Sequence, residues 1–279
     1  MGLNASHKVS LTATALALLA LAAPAVALAQ AGGTLDKVKA SGQITLAYRE
    51  SSIPFSYLDD KAQPTGFGHE ICLRIVDQVK KATGRADLKV NLQAVTSANR
   101  IPLLVNGTID IECGSTTNNS ERGKQVQFAT NYFYTGTRFL VKAGTQISKI
   151  EDLKGKTIVS TTGTTNFKIL RQLNEEKKLG MDDILLYGLR ASSQNPASLA
   201  VVGEAIQVEP YAIMLRRDDP AFKKLVDDTL AGLMKSGEFT KLYTKWFQSP
   251  IPPKGINLNA PMSPELVENM KALSDKPAT

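Results

Sequence analysis

The stretch NRIPLLVNGTIDIECGSTTNNSERGKQVQF, Asn99–Phe128, decides how the rest of the chain is read. Arg100–Asn106 has the spacing of a short helix, and Gly107 closes it as a left-handed C-terminal residue. Ile109, Ile111 and Cys113 alternate with Asp110 and Glu112, so a strand follows with its apolar side toward a core. That strand runs into Gly114-Ser115-Thr116-Thr117-Asn118-Asn119-Ser120-Glu121-Arg122, a hydroxyl-rich turn that opens the next helix. Helix, strand and polar turn in this order are the repeating unit of an α/β protein, in which ligands sit where strands end.

The same pattern recurs on both sides. Upstream, the strand Gln43–Arg49 ends in Arg49-Glu50-Ser51-Ser52. A helix from about His69 to Ala82 follows, with Ile71, Cys72, Ile75, Val76 and Val79 on one stripe, and the strand Leu88–Val95 ends in Thr96-Ser97-Ala98-Asn99-Arg100. Downstream, TRFLVK and KTIVS read as strands, with a helical turn near Lys149–Lys154 between them. Ser160-Thr161-Thr162-Gly163-Thr164-Thr165 then leads into a helix that runs to about Lys178 and is capped by Thr165. Leu199–Gly203 and Tyr211–Leu215 read as strands, Asp219-Pro220 as an N-cap with Pro in the first turn, and Glu238–Phe247 as a helix.

Composition narrows the chemistry. With 279 residues, 43% hydrophobic and 21% charged, the chain has enough apolar content to fold. Two His exclude most His-based metal sites and catalytic triads, and no cofactor is expected. A net charge of +7 points to an anionic partner. Lys8, the apolar run Leu11–Leu28 broken by Pro24, and Ala27-Leu28-Ala29 form a secretory signal peptide over residues 1–29. A membrane anchor is the competing reading, but no basic cluster follows the run. The expected location is therefore the periplasm.

An Arg at a strand end is usually a solvated charge, and Ser/Thr runs before helices are usually caps. Taken together, Arg49, Arg100 and Arg122 with two hydroxyl-lined helix starts can converge on one crevice. Guanidinium forks and helix N-termini both favour carboxylate or phosphate.

On these residues the chain resembles the solute-binding proteins of ABC transporters for polar amino acids (family 3), in particular the glutamate/aspartate-binding group. The run Asn99–Phe128 carries the likeness. Arg49–Asp59, Asp152–Thr165, Val208–Asp228 and Lys245–Asn259 agree with it in order and spacing. The resemblance implies an α/β, two-lobed type II periplasmic binding fold: lobe one from 34–135 and 210–279, lobe two from 136–209. It implies a monomer that captures L-glutamate or L-aspartate and hands it to a membrane permease, with no nucleic acid involved. Matched positions assign Arg122, Thr117 and Thr165 to the ligand α-carboxylate, and Arg49, Arg100 and Ser97 to the side-chain carboxylate. Ser115 and Asp182 are assigned to the ammonium group.

One departure stands out. Leu179-Gly180-Met181 runs directly into Asp182-Asp183, where the family carries roughly two dozen further residues, among them a ligand-contacting His. Lobe two is therefore expected in a shortened form. Two other functions compete with amino-acid capture. One is a dehydratase-like enzyme on the same scaffold, with Glu50 and Asp182 as its acids, and the other is a truncated copy with impaired binding. Cys72 and Cys113 lie on apolar faces and read either as two buried thiols or, after export, as a disulfide. His69, at a helix start, is expected to be solvated.

Overall fold

The computed structural model describes residues 32–183 and 198–278, so the expected signal peptide lies outside the described residues. Helix α1 (Thr34–Ser41) leads into β1 (Gln43–Tyr48). Three short strands follow, β2 (Ser51–Ser52), β3 (Ser56–Leu58) and β4 (Pro64–Thr65), then α2 (Phe67–Thr83), β5 (Lys89–Ala94), α3 (Arg100–Val105) and β6 (Ile111–Glu112). The long β7 (Val126–Gly136) passes into β8 (Phe139–Lys142), β9 (Thr157–Ile158), α4 (Thr165–Glu176) and β10 (Asp182–Asp183). Then come β11 (Leu199–Val202) and the return strand β12 (Val208–Arg216). The chain closes with α5 (Pro220–Ser236), α6 (Glu238–Phe247), the hairpin strands β13 (Pro250–Ile251) and β14 (Ile256–Asn257), and α7 (Pro264–Ala272).

Five strands form the main sheet in the order β5-β1-β6-β12-β7. Its first three strands run parallel, and β12 is antiparallel to both β6 and β7. One face packs α2, α5 and α6 through Ile71, Ile75, Phe222, Val226, Leu230 and an aromatic group around Phe55, Phe67, Tyr132 and Phe247. The other face carries a smaller core of Val95, Leu104, Ile109, Phe128 and Met214 under α3. Beyond β7, a separate core of Phe139, Ile147, Leu153, Leu170, Leu179 and Met181 is served by two two-stranded sheets, β8 with β11 and β9 with β10. The long strands β7 and β12 run side by side from the main sheet toward this smaller body.

Cys72 in α2 and Cys113 just after β6 form a disulfide, with 5.9 Å between their Cα atoms. Gly68 makes the approach possible, since a Cβ there would lie 2.1 Å from the Cys113 carbonyl oxygen. The end of the chain is tied to the body: Ala278 N–H donates to Asn118 O and Asn131 N–H to Ser274 O. The Asn118 amide group also donates to Asp275 O. Three expectations change. Ile109–Cys113 does not alternate between core and solvent, because β6 lies inside the sheet and Asp110 and Glu112 are as buried as their apolar neighbours. The helix expected to be capped by Thr165 is capped by Thr164, whose Oγ1 accepts from Phe167 N–H. His69 is the third residue of α2 and half-buried, not solvated.

Candidate functional site

A crevice of about 210 Å³ is lined by Arg49, Ser97, Arg100, Ser115, Thr117, Arg122 and Thr165, together with Ser51, Ser52, Thr161, Thr164, Asn166 and Tyr211. Seven of the eight residues singled out from the sequence thus meet at one place. Asp182 has its backbone in β10, paired in parallel with Thr157, and its side chain falls outside what the structure describes. No sequence signal pointed to Tyr211 or Asn166. Asn166 is the second residue of α4 and Tyr211 the fourth of β12, and they enter the crevice through helix phase and strand register.

Each Arg is held differently. Arg49, beyond the end of β1, donates from Nη2 to Ser97 Oγ at 2.9 Å. Burial, then the like charge of Arg100, pull its pKa down to about 10, with Glu112 pulling the other way. Arg100, the first residue of α3, is 2% exposed. Its Nη1 donates to Thr116 Oγ1, which in turn donates to Glu112 Oε2, and Nη1 stands 3.9 Å from Glu112 Oε1. The same nitrogen reaches Ser115 O at 3.4 Å. Arg122 donates to Thr117 O at 2.9 Å and to Gly163 O at 3.1 Å. Burial and then Arg100 lower Arg122 to about 10, opposed by Glu209 and Glu112. At about 10, Arg49 and Arg122 remain protonated at neutral pH.

The far wall is the start of α4. Because Thr164 takes the capping role, the Thr165 hydroxyl is released into the crevice, 3.2 Å from Thr117 Oγ1. The first-turn N–H groups of a 12-residue helix add partial positive charge on this side. Gly163 (φ +80°) fits against the Ser97-Ala98 turn, where a Cβ would lie 2.7 Å from Ala98 Cα. Lys168 meets Glu121 across the same gap at 2.7 Å. A small chamber results, with cationic forks on one wall and hydroxyls on the other, a chemistry suited to an anion. Among the described residues, no group of three or more His, Cys, Asp or Glu is placed to hold a metal, and no helix is long and apolar enough to cross a membrane.

Residues 44–249 match the bacterial extracellular solute-binding proteins, family 3. The chain belongs to this family. As a family 3 protein it is 45% identical to an L-glutamate/L-aspartate-binding protein of Pseudomonas aeruginosa, over 96% of this chain and 97% of that one. It is also 45% identical to a glutamate/aspartate import solute-binding protein of Salmonella typhimurium, over 88% of this chain and 90% of that one. A solved cysteine-binding protein of Campylobacter jejuni, 21% identical, superposes with a TM-score of 0.66 over 77% of this chain and 93% of that one. An ancestral arginine-binding protein bound to arginine, 26% identical, gives 0.65 over 74% and 98%. The fold is thus the two-lobed one of this family, with the crevice between the five-stranded body and the smaller one. These family 3 relatives bind solutes for transport, and this chain is a solute-binding protein, not an enzyme.

Proposed function

We propose that the protein binds L-glutamate or L-aspartate in this crevice, in the periplasm and as a monomer, and delivers it to an ABC permease. The observation that carries the reading is the convergence of Arg49, Arg100 and Arg122 on one small chamber. A neutral amino acid offers one carboxylate, whereas three guanidinium forks suit a ligand with two. The names of the relatives from Pseudomonas aeruginosa and Salmonella typhimurium support the same ligands. Arg122, Thr117 and Thr165 lie together and fit the α-carboxylate end, while Arg49, Arg100 and Ser97 fit the side-chain carboxylate.

The second lobe is shorter than in the relatives. In support, the alignment with the Pseudomonas aeruginosa protein extends over 295 positions, more than the 279 residues of this chain. The shortening falls near Met181, and the walls contributed by Gly163, Thr164 and Thr165 precede it.

Thermal melts of refolded, ligand-free protein with L-Glu, L-Asp, L-Gln and L-Arg test the reading. At one hundred times Kd, either acidic amino acid is expected to raise Tm by roughly 5–10 °C, with little effect from L-Arg. No shift and no heat with millimolar L-Glu or L-Asp would refute it. Arg122→Ala is expected to abolish binding of every amino acid. Arg49→Gln, which leaves no buried acid unpaired, is expected to weaken L-Glu more than L-Gln.

A further inference from the structure

Glu209 is a buried acid beside the crevice whose hydrogen bonds come from no cation. It is 1% exposed, on β12 between the bodies, and forms no salt bridge among the described residues. Its two hydrogen bonds come from neutral donors: Gln207 Nε2 to Oε1 at 3.1 Å and Thr117 Oγ1 to Oε2 at 3.3 Å. A strand's side chains alternate, so Glu209 shares a face with Tyr211, which lines the crevice. A buried carboxylate is costly unless a positive charge offsets it. Arg122 feels the charge of Glu209 but spends its hydrogen bonds on Thr117 O and Gly163 O.

The hydroxyl between them sets the polarity of this corner. Glu209 accepts the Thr117 proton, so the Thr117 oxygen turns lone pairs, not a proton, toward the crevice. That oxygen suits an N–H donor and repels a carboxylate. With that proton committed, the 3.2 Å bond between the two hydroxyls runs from Thr165 Oγ1 to Thr117 Oγ1, which leaves Thr117 one lone pair for a ligand donor.

We propose that Glu209, acting through the Thr117 hydroxyl, is the positioning residue that selects a ligand carrying a protonated amine. It fills the role for which the family resemblance points to Asp182. This rests on the reading that the crevice binds an acidic amino acid, and it moves Thr117 from the α-carboxylate to the ammonium group.

The test compares L-glutamate with glutarate, the same dicarboxylate without the amine, by calorimetry on the full mature protein. Wild type is expected to prefer L-glutamate. Glu209→Gln is expected to lose on the order of 10–100-fold in L-glutamate affinity, the worth of a hydrogen bond to a charged group, while glutarate binding holds or tightens. Equal losses for both ligands would mark a purely structural role and overturn the proposal. So would a preference that survives in Glu209→Gln but collapses in Asp182→Asn. If Glu209→Gln fails to fold, Thr117→Val removes the acceptor and leaves the acid in place. It is expected to lose the same preference, and an unchanged preference there refutes the relay. A wild type that binds neither L-glutamate nor L-aspartate would instead refute the underlying reading, a result distinct from binding without amine selection.

Discussion

Arg100 and Glu112 form a deeply buried ion pair behind the crevice, 2% and 0% exposed, and each leaves one polar atom without a hydrogen-bond partner: Arg100 Nε and Glu112 Oε1. Such a pair adds little net stability, but breaking it leaves one charge stranded. Glu112→Ala is therefore expected to cost about 3–5 kcal/mol in urea unfolding, whereas Arg49→Gln, with no acid to strand, costs far less. His69 offers a second reading at this scale. Burial lowers its pKa below 6.5, with Glu70 acting weakly the other way. The unfolded chain therefore takes up the proton at higher pH than the folded one. Stability from this group is full above pH 6.5 and falls as pH drops through the lower folded value. An NMR titration of this imidazole, the only one among the described residues, checks it: a value at or above 6.5 refutes the burial. Arg49, Arg100 and Arg122 were legible in the sequence because turn chemistry marks strand ends. Glu112 and Glu209 were not, because their meaning comes from neighbours across a sheet, and nothing local distinguishes a buried acid from a solvated one.

Among the elements, α2, α5 and α6 follow their apolar stripes closely, and Glu238–Phe247 has the ends read from sequence. Two helices escaped that reading. The N-terminal N–H of α1 is capped from far away, by Asp219 Oδ2 at 2.6 Å, while Asp219 Oδ1 caps α5 at Phe222 N–H. One carboxylate thus starts two helices 185 residues apart, and only the second lies next to it in sequence. The other missed helix, α7, carried a readable Ser263-Pro264 start, with Ser263 Oγ accepting from Leu266 N–H. Asp219→Ala should lower stability by roughly 1–4 kcal/mol, twice the worth of an ordinary cap. The disulfide between α2 and the end of β6 spans 41 residues, a loop whose closure stabilises by about 4 kcal/mol in the chain-entropy model. A denaturation midpoint unchanged by reduction would refute that contribution.

For the whole molecule, the fit of the two bodies turns on Gly163. Its φ of +80° strains any side chain, and a Cβ there would press on the Ala98 backbone, which has no room to yield. Gly163→Val is therefore expected to wedge the crevice: L-glutamate binding falls at least tenfold, and small-angle scattering shows no ligand-induced compaction where wild type does. Wild-type affinity in that variant would show that the contact is dispensable. The strand-end signals on both sides of Asn99–Phe128 made the α/β character legible, whereas the two-lobed plan came only through the family resemblance that this run carries. The shortening expected after Met181 borders residues 184–197, which lie outside the described residues.

The tail that runs from α7 back to Asn118 reaches further than its length suggests. Ala278 and Asp275 grip the residue next to Thr117, so the last strap of the chain braces the crevice from behind. Anyone converting this protein into an optical amino-acid sensor should therefore attach the reporter elsewhere. A fluorophore or affinity tag fused beyond Ala278 would tug on the receptor's own recognition loop, and its signal would report the fusion as much as the ligand.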